Sequence, residues 1–174
     1  MIQTLASYQN FLTNANNDWP TFLERRAVRL KQVQRPEGGA EKVAENIIED
    51  LFTHILDWTL EEVHYGINYA DIVLRRMGID RLIIEVKRPG SLIWSKSNVE
   101  AALNQARRYA QEQHVDRIAI SDGYMIYAAD VAHGGLIERL CTSIDSNNFP
   151  EVLWWLTYPG LCKIRSDHES YASQ

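Results

Sequence analysis

Asp71 in "YADIVLRR", and Glu85 and Lys87 in "RLIIEVKR", are charges set inside two β-branched, apolar runs joined by the turn signal "MGID". Side chains alternate along a strand, so Glu85 and Lys87 share one face while Ile84, Val86 and Arg88 take the other. Whether Asp71 joins them depends on the turn. A two-residue loop sets Asp71 opposite Val86, on the wrong face. A three-residue loop of Arg76, Met77 and Gly78 sets it opposite Ile83, diagonal to Glu85 and within side-chain reach. Gly78 can take the left-handed third position of such a loop without steric cost. The expectation is therefore a three-residue loop and an Asp71, Glu85, Lys87 cluster.

Two carboxylates converging from neighbouring strands repel, and each is driven to bind a proton unless something positive lies between them. A hard divalent cation answers this. Oxygen ligands favour magnesium or manganese over zinc, which prefers His and Cys arrangements that the sequence lacks. A lysine beside such a metal could orient or help deprotonate a water and balance charge in a phosphorane-like transition state. The chemistry implied is hydrolysis of a phosphodiester. Taken in isolation, the plainer reading of "IIEVKRP" is a strand whose polar residues face solvent.

The elements that must position these residues follow from periodicity. "EEVHYGI" precedes the two charged runs, and together they read as a three-stranded antiparallel meander. Before it, "AEKVAENIIEDLFTHILDW" carries Val43, Ala44, Ile47, Ile48, Leu51, Phe52 and Ile55 in one broad stripe, the pattern of a helix on a sheet. Glu41, Glu45 and Glu49 line one flank of that stripe, two of the three read as solvated. After the meander, "SNVEAALNQARRYAQEQ" reads as one helix started by a Ser97–Glu100 capping box, with Val99, Ala102, Leu103, Ala106 and Ala110 apolar. "DRIAISD" and "YMIYAAD" are strands joined at Gly123, "LIERLCTSI" suggests another, and "FPEVLWWLT" a short Trp-rich helix. An N-terminal helix starts near Asp18 and Pro20, with Phe22, Leu23, Ala27 and Leu30 at helical spacing, and "RPEGG" ends it. This order implies an α/β protein, a mixed sheet flanked by helices. One domain is expected, with an N-terminal helical extension (1–38), a core (39–145) and a C-terminal helix and tail (146–174), the last residues frayed.

Composition supports a folded chain. Hydrophobic residues make up 45% of the 174, enough for a core, which excludes disorder by composition. The N-terminus lacks a basic stretch followed by an apolar run, and eighteen uncharged apolar residues never occur in succession, so a cytoplasmic protein is expected, without membrane. Cys141 and Cys162 read as buried free thiols. A net charge of −5 argues against indiscriminate coating of nucleic acid but leaves room for local basic surfaces. Arg25, Arg26, Arg29, Lys31 and Arg35 form one such cluster, read as a solvated face, and Arg75, Arg76, Arg81, Lys87 and Arg88 another. Ser121 with Asp122 and His133 or His114 makes no credible hydrolase triad, because no nucleophile elbow surrounds the serine.

The spacing Asp71, thirteen residues, Glu85-Val86-Lys87 resembles the motif of the PD-(D/E)XK nuclease superfamily. Within it, the closer likeness is to the N-terminal nuclease domain of type I restriction enzyme restriction subunits. "ADIVL" (70–74), "IEVKRPG" (84–90), a QxxxY helix motif at Gln105 and Tyr109, and "ISDGYMIYAAD" carry that likeness, over roughly residues 41–130. The family pattern's proline is Ala70 here. The resemblance reverses the plainer reading above. It implies a restriction-endonuclease-like core in α-β-β-β-α-β order and a magnesium- or manganese-dependent DNA endonuclease of restriction or mobile-element type.

Carried over residue by residue, the resemblance makes Asp71, Glu85 and the Val86 carbonyl metal ligands and gives Lys87 to the attacking water. A first-helix glutamate would reach the metal or its water, Glu45 first and Glu41 close behind. Gln105 and Tyr109 would face the cleft, with Arg88 and Arg108 as further substrate contacts, though a packed aromatic competes strongly for Tyr109. DNA is the implied partner. A homodimer would suit double-strand cutting, and a separate recognition or motor subunit is the other expected partner, since no GxxxxGK[ST] loop is present for translocation. The alternative is a DNA- or protein-binding module that keeps the fold without turnover.

Overall fold

The computed structural model describes residues 6–33, 39–67 and 70–163. Its elements run α1 (Ala6–Gln32), α2 (Ala40–His54), β1 (Val63–Ile67), β2 (Ala70–Arg76), β3 (Ile79–Val86), α3 (Lys96–Ala102), α4 (Asn104–Glu112), β4 (Arg117–Ser121), β5 (Met125–Ala132), β6 (Gly135–Ser143) and α5 (Tyr158–Leu161), with a 3-10 turn at Glu151–Leu156. The strands form one sheet in sequence order, antiparallel throughout except where β3 meets β4 in parallel. That parallel step needs a crossover, and α3 with α4 supplies it. The protein is thus a mixed α/β fold with a six-stranded mixed sheet flanked by helices. No helix of the described residues is long and apolar enough to cross a membrane.

Strand alternation sorts the core into two layers. Ile72, Leu74, Leu82, Ile84 and Val86 face α1, α2 and the tryptophans of the 3-10 turn. Val73, Ile83, Ile118, Ile120 and Tyr127 face α3 and α4, against Val99, Leu103, Ala106 and Ala110. Burial on both sides explains why β2 to β5 read as nearly continuous apolar runs.

Several expectations are corrected by this architecture. Helix α1 begins at Ala6, well before Asp18, and passes through Pro20; its buried stripe is Tyr8, Phe11, Ala15, Trp19, Phe22 and Arg26, while Ala27 is exposed. Aromatic packing overrides the proline's helix-ending tendency: Trp19 stacks on Phe22 at 4.8 Å and meets Phe149 edge-on at 5.4 Å. The first basic cluster is a solvated face only in part, at the exposed Arg25 and Lys31. Arg26 is buried, its Nε donating to the Gly123 carbonyl at 2.7 Å, and Arg29 bonds Asp50 at 3.2 Å. Arg35 and most of the tail lie outside the described residues. Cys141 and Cys162 are exposed, not buried. The Ser97 capping box gives way to Ser95, whose hydroxyl accepts from the Asn98 N–H. The single helix expected after it is two, broken at Leu103. The Trp-rich segment winds as a 3-10 turn.

Two bulges complete the sheet. One makes Arg81 the extra residue of β3 and the other makes Arg139 the extra residue of β6. A bulge re-aims its side chain, and both arginines turn to the C-terminal segment. Arg81 lies over the Tyr158 ring at 5.5 Å, and Arg139 donates to the Gly160 and Lys163 carbonyls at 3.2 and 2.9 Å. Gly160 is required there, since a Cβ would fall 2.2 Å from the Trp154 carbonyl oxygen.

Candidate active site

The hairpin between β2 and β3 has a two-residue turn, Met77-Gly78, with φ of +56° and +75°. The expected three-residue loop is absent. Positive φ at both centres is the turn whose twist matches paired strands, which explains why it wins even with methionine in the first position. Such a turn alone would send Asp71 to the wrong face. The Arg81 bulge restores it: Arg75 pairs with Asp80, but Leu74 pairs with Leu82 and Ile72 with Ile84. One step further, that register sets Asp71 level with Glu85, not with Ile83. Glu85 and Lys87 share the Ile83 face, and the Asp71 carboxylate arrives at the end of the same two strands.

There, Asp71 Oδ2 accepts a hydrogen bond from the Val86 N–H at 2.7 Å. Lys87 Nζ donates to Glu85 Oε1, and its backbone N–H donates to the Ser121 carbonyl at 2.9 Å, tying the site to β4. Glu85 is 6% exposed, and its second oxygen, Oε2, is buried without a hydrogen-bond partner.

Burial pushes the Asp71 carboxyl up; the Val86 N–H and Lys87 pull it down without cancelling the shift, and Glu45 and Glu41 add to it. Burial also raises Glu85, against the bond from Lys87, with Asp71 and Glu41 reinforcing it. For Lys87, burial alone would lower the ammonium, but the bond to Glu85 and the charges of Glu85, Asp71 and Glu41 hold it above the ordinary lysine value. One cation is thus shared by two carboxylates that both resist ionisation.

The glutamates of α2 divide in a way their spacing could not tell. Glu41, exposed at the head of the helix, acts on Asp71, Glu85 and Lys87 alike. Glu45 acts on Asp71 while bonded to Lys42 at 2.7 Å. Glu49 accepts from the Tyr65 hydroxyl, pinning α2 to the edge strand β1. It is therefore neither solvated nor turned to the site. Among the described residues, no group of three or more His, Cys, Asp or Glu is gathered closely enough to hold a metal ion.

The other predicted residues scatter more widely. Gln105, Arg88 and Arg108 are exposed. Tyr109 is 7% exposed in the layer under α4, a packed aromatic within electrostatic reach of Arg75, near the hairpin end of β2. Asp122 and Trp94, given no role by the motifs, join the site's surroundings. Asp122, buried, accepts from the Tyr124 and Met125 N–H groups and from the Trp94 indole at 3.2 Å. In the sequence it was visible only as part of "ISDGYMIYAAD", which gave it no role of its own. Compared with known proteins, the chain matches no family model, no curated protein and no solved structure, so its chemistry is read from this geometry.

Proposed function

We propose that the protein is a metal-dependent DNA endonuclease with a restriction-endonuclease-like core, of the PD-(D/E)XK kind and related to the nuclease domains of type I restriction subunits. The observation that carries this reading is the meeting of Asp71 with Glu85 and Lys87 across β2 and β3, achieved by a bulge that offsets the parity of the turn.

The residues fit a hard divalent cation, magnesium or manganese. Asp71 and Glu85 lie level on paired strands, both held above their usual range chiefly by burial, so a positive partner between them would offset the cost of ionising both, and the orphaned Glu85 Oε2 is an unused buried acceptor. In an extended strand a residue's N–H and C=O leave on the same side, so the Val86 carbonyl is directed with its N–H toward Asp71. Asp71, Glu85 and that carbonyl would hold the ion, and Glu41 or Glu45 would reach it through water. When bound, the ion supplies an activated water and charge stabilisation at phosphorus. Lys87, held as an ammonium by Glu85, would donate a hydrogen bond that orients that water and would balance charge at phosphorus, Gln105 would orient the lysine or the phosphate, and Arg88 and Arg108 would neutralise flanking phosphates.

A non-catalytic DNA- or protein-binding module is the second reading, favoured by Lys87 already neutralising Glu85 and by the lack of a third close ligand among the described residues. Incubation with supercoiled, linear and single-stranded DNA, with magnesium or manganese, separates the two. Metal-dependent cutting lost in Asp71→Ala and Lys87→Ala proteins is expected. Cutting undiminished in both variants would overturn the site, and no cutting of any substrate would favour the binding module.

A further inference from the structure

The connection from Lys87 to α3 presents an apolar tip held in a fixed frame. Ile93 is 71% exposed, while its neighbours Leu92 and Trp94 pack onto the layer under α4. On one side, the Ser91 N–H closes a turn onto the Arg88 carbonyl at 3.0 Å through Pro89 and Gly90, the latter at φ +71°. On the other, the Ser95 N–H closes onto the Ile93 carbonyl at 2.9 Å, and Trp94 is bonded to Asp122. Asp122 follows Ser121, the backbone partner of Lys87, so the tip is fastened beside the reacting lysine. Exposed cations flank it in the chain, Arg88 before and Lys96 after.

Single exposed isoleucines are ordinary on protein surfaces. This one differs because both neighbours are anchored inward, the tip adjoins the site, and cations stand on either side. Proteins that distort duplex DNA combine these parts: an apolar wedge for a base step and positive charges for the adjacent phosphates. We propose that Ile93 is such a wedge, entering the base stack beside the scissile phosphate, so that the protein selects duplex steps that unstack easily, pyrimidine–purine steps or mismatches. The inference rests on the nuclease reading for its cleavage consequence, while the wedge itself requires only DNA binding. Steps that kink readily cost less to open, so selectivity arises without base hydrogen bonds.

The test uses the full chain and duplexes carrying 2-aminopurine at one step, either fully paired or mismatched there. In EDTA, wild type is expected to raise the 2-aminopurine fluorescence on binding, and Ile93→Ala to lose that rise while Ile93→Leu keeps it. With magnesium, Ile93→Ala should cut the paired duplex roughly ten-fold or more slowly and the mismatched duplex within about two-fold of wild type, because the mismatch has already met the unstacking cost. Matching melting temperatures for the variants exclude misfolding. Should Ile93→Ala behave as wild type in both assays, the wedge is overturned and the tip belongs to a protein contact. If wild type binds but cuts neither duplex, the nuclease reading fails and the fluorescence arm still decides the wedge; absence of any duplex binding overturns it.

Discussion

β2 and β3 carry charges at both ends, and the two ends treat them in opposite ways. At the hairpin end Arg75 and Arg76 each have their own acid: Arg75 bonds Asp80 at 2.6 Å, and Arg76 grips both oxygens of Glu62 while lying over Trp58 and Tyr158. The bond from Arg76 outweighs burial and holds the Glu62 carboxyl below its usual range. At the other end, Asp71 and Glu85 share Lys87, and both carboxyls stand above theirs. The same two strands thus hold one charge set that serves the fold and another that is held against burial and like-charge neighbours. Unfavourable electrostatics that the surrounding fold must sustain are characteristic of functional sites.

Breaking the comparison gives the largest effect in activity. Lys87→Ala should lower metal-dependent DNA cutting by roughly 10²–10⁴-fold, whereas Arg75→Ala, at the satisfied end, should leave it within about two-fold at temperatures where both proteins are folded. A plasmid-nicking time course reads both. Next comes metal binding. Manganese at a hundred times its dissociation constant should stabilise wild type by about 2.7 kcal/mol and leave Asp71→Asn unchanged, as followed by thermal melting. Equal shifts in the two proteins would place the ion elsewhere.

Stability separates the ends next. Arg76→Ala, which strands Glu62 and removes two ring contacts, should cost roughly 1.5–3 kcal/mol in denaturant unfolding at neutral pH. Asp71→Asn should instead stabilise by a few tenths to about 1 kcal/mol, by relieving a like-charge pair.

The pH dependences run in opposite directions. Glu62 is lowered on folding, so its contribution is present above the unfolded carboxylate range and is lost as pH falls through its lowered value. Asp71 and Glu85 are raised, so the folded state gains from their protonation. That gain is complete below the unfolded range and is lost as pH rises through their raised values. The benefit of Asp71→Asn should accordingly fade on acidification before the cost of Arg76→Ala does. Parallel pH profiles for the two variants would contradict the contrast.

The parts of this arrangement that were legible in the sequence are those written in local pattern. β-Branched runs around "MGID" fixed the meander, and the Val99, Leu103, Ala106, Ala110 stripe fixed the buried side of the crossover helices. The bulge was not legible, because Asp80 and Arg81 are both polar and alternation cannot say which is extra. Arg26 was misread, and Glu49 could not be told apart from Glu41 and Glu45, for a related reason: their partners, Gly123 and Tyr65, lie 97 and 16 residues away, and solvation is the default for a charge without a visible partner. The break at Leu103 follows no breaker residue, and nothing in the structure explains why the helix divides there.

The paired turn and bulge also constrain how this hairpin can change in length over evolution. A gain or loss of one residue in either strand or in the turn would rotate Asp71 away from Glu85, while changes that come in twos would preserve their meeting. Inheritance at this hairpin is therefore sensitive to whether an insertion is odd or even rather than to how long it is. Relatives of this protein that keep a working site should differ here by even numbers of residues, or carry a second odd change nearby that cancels the first.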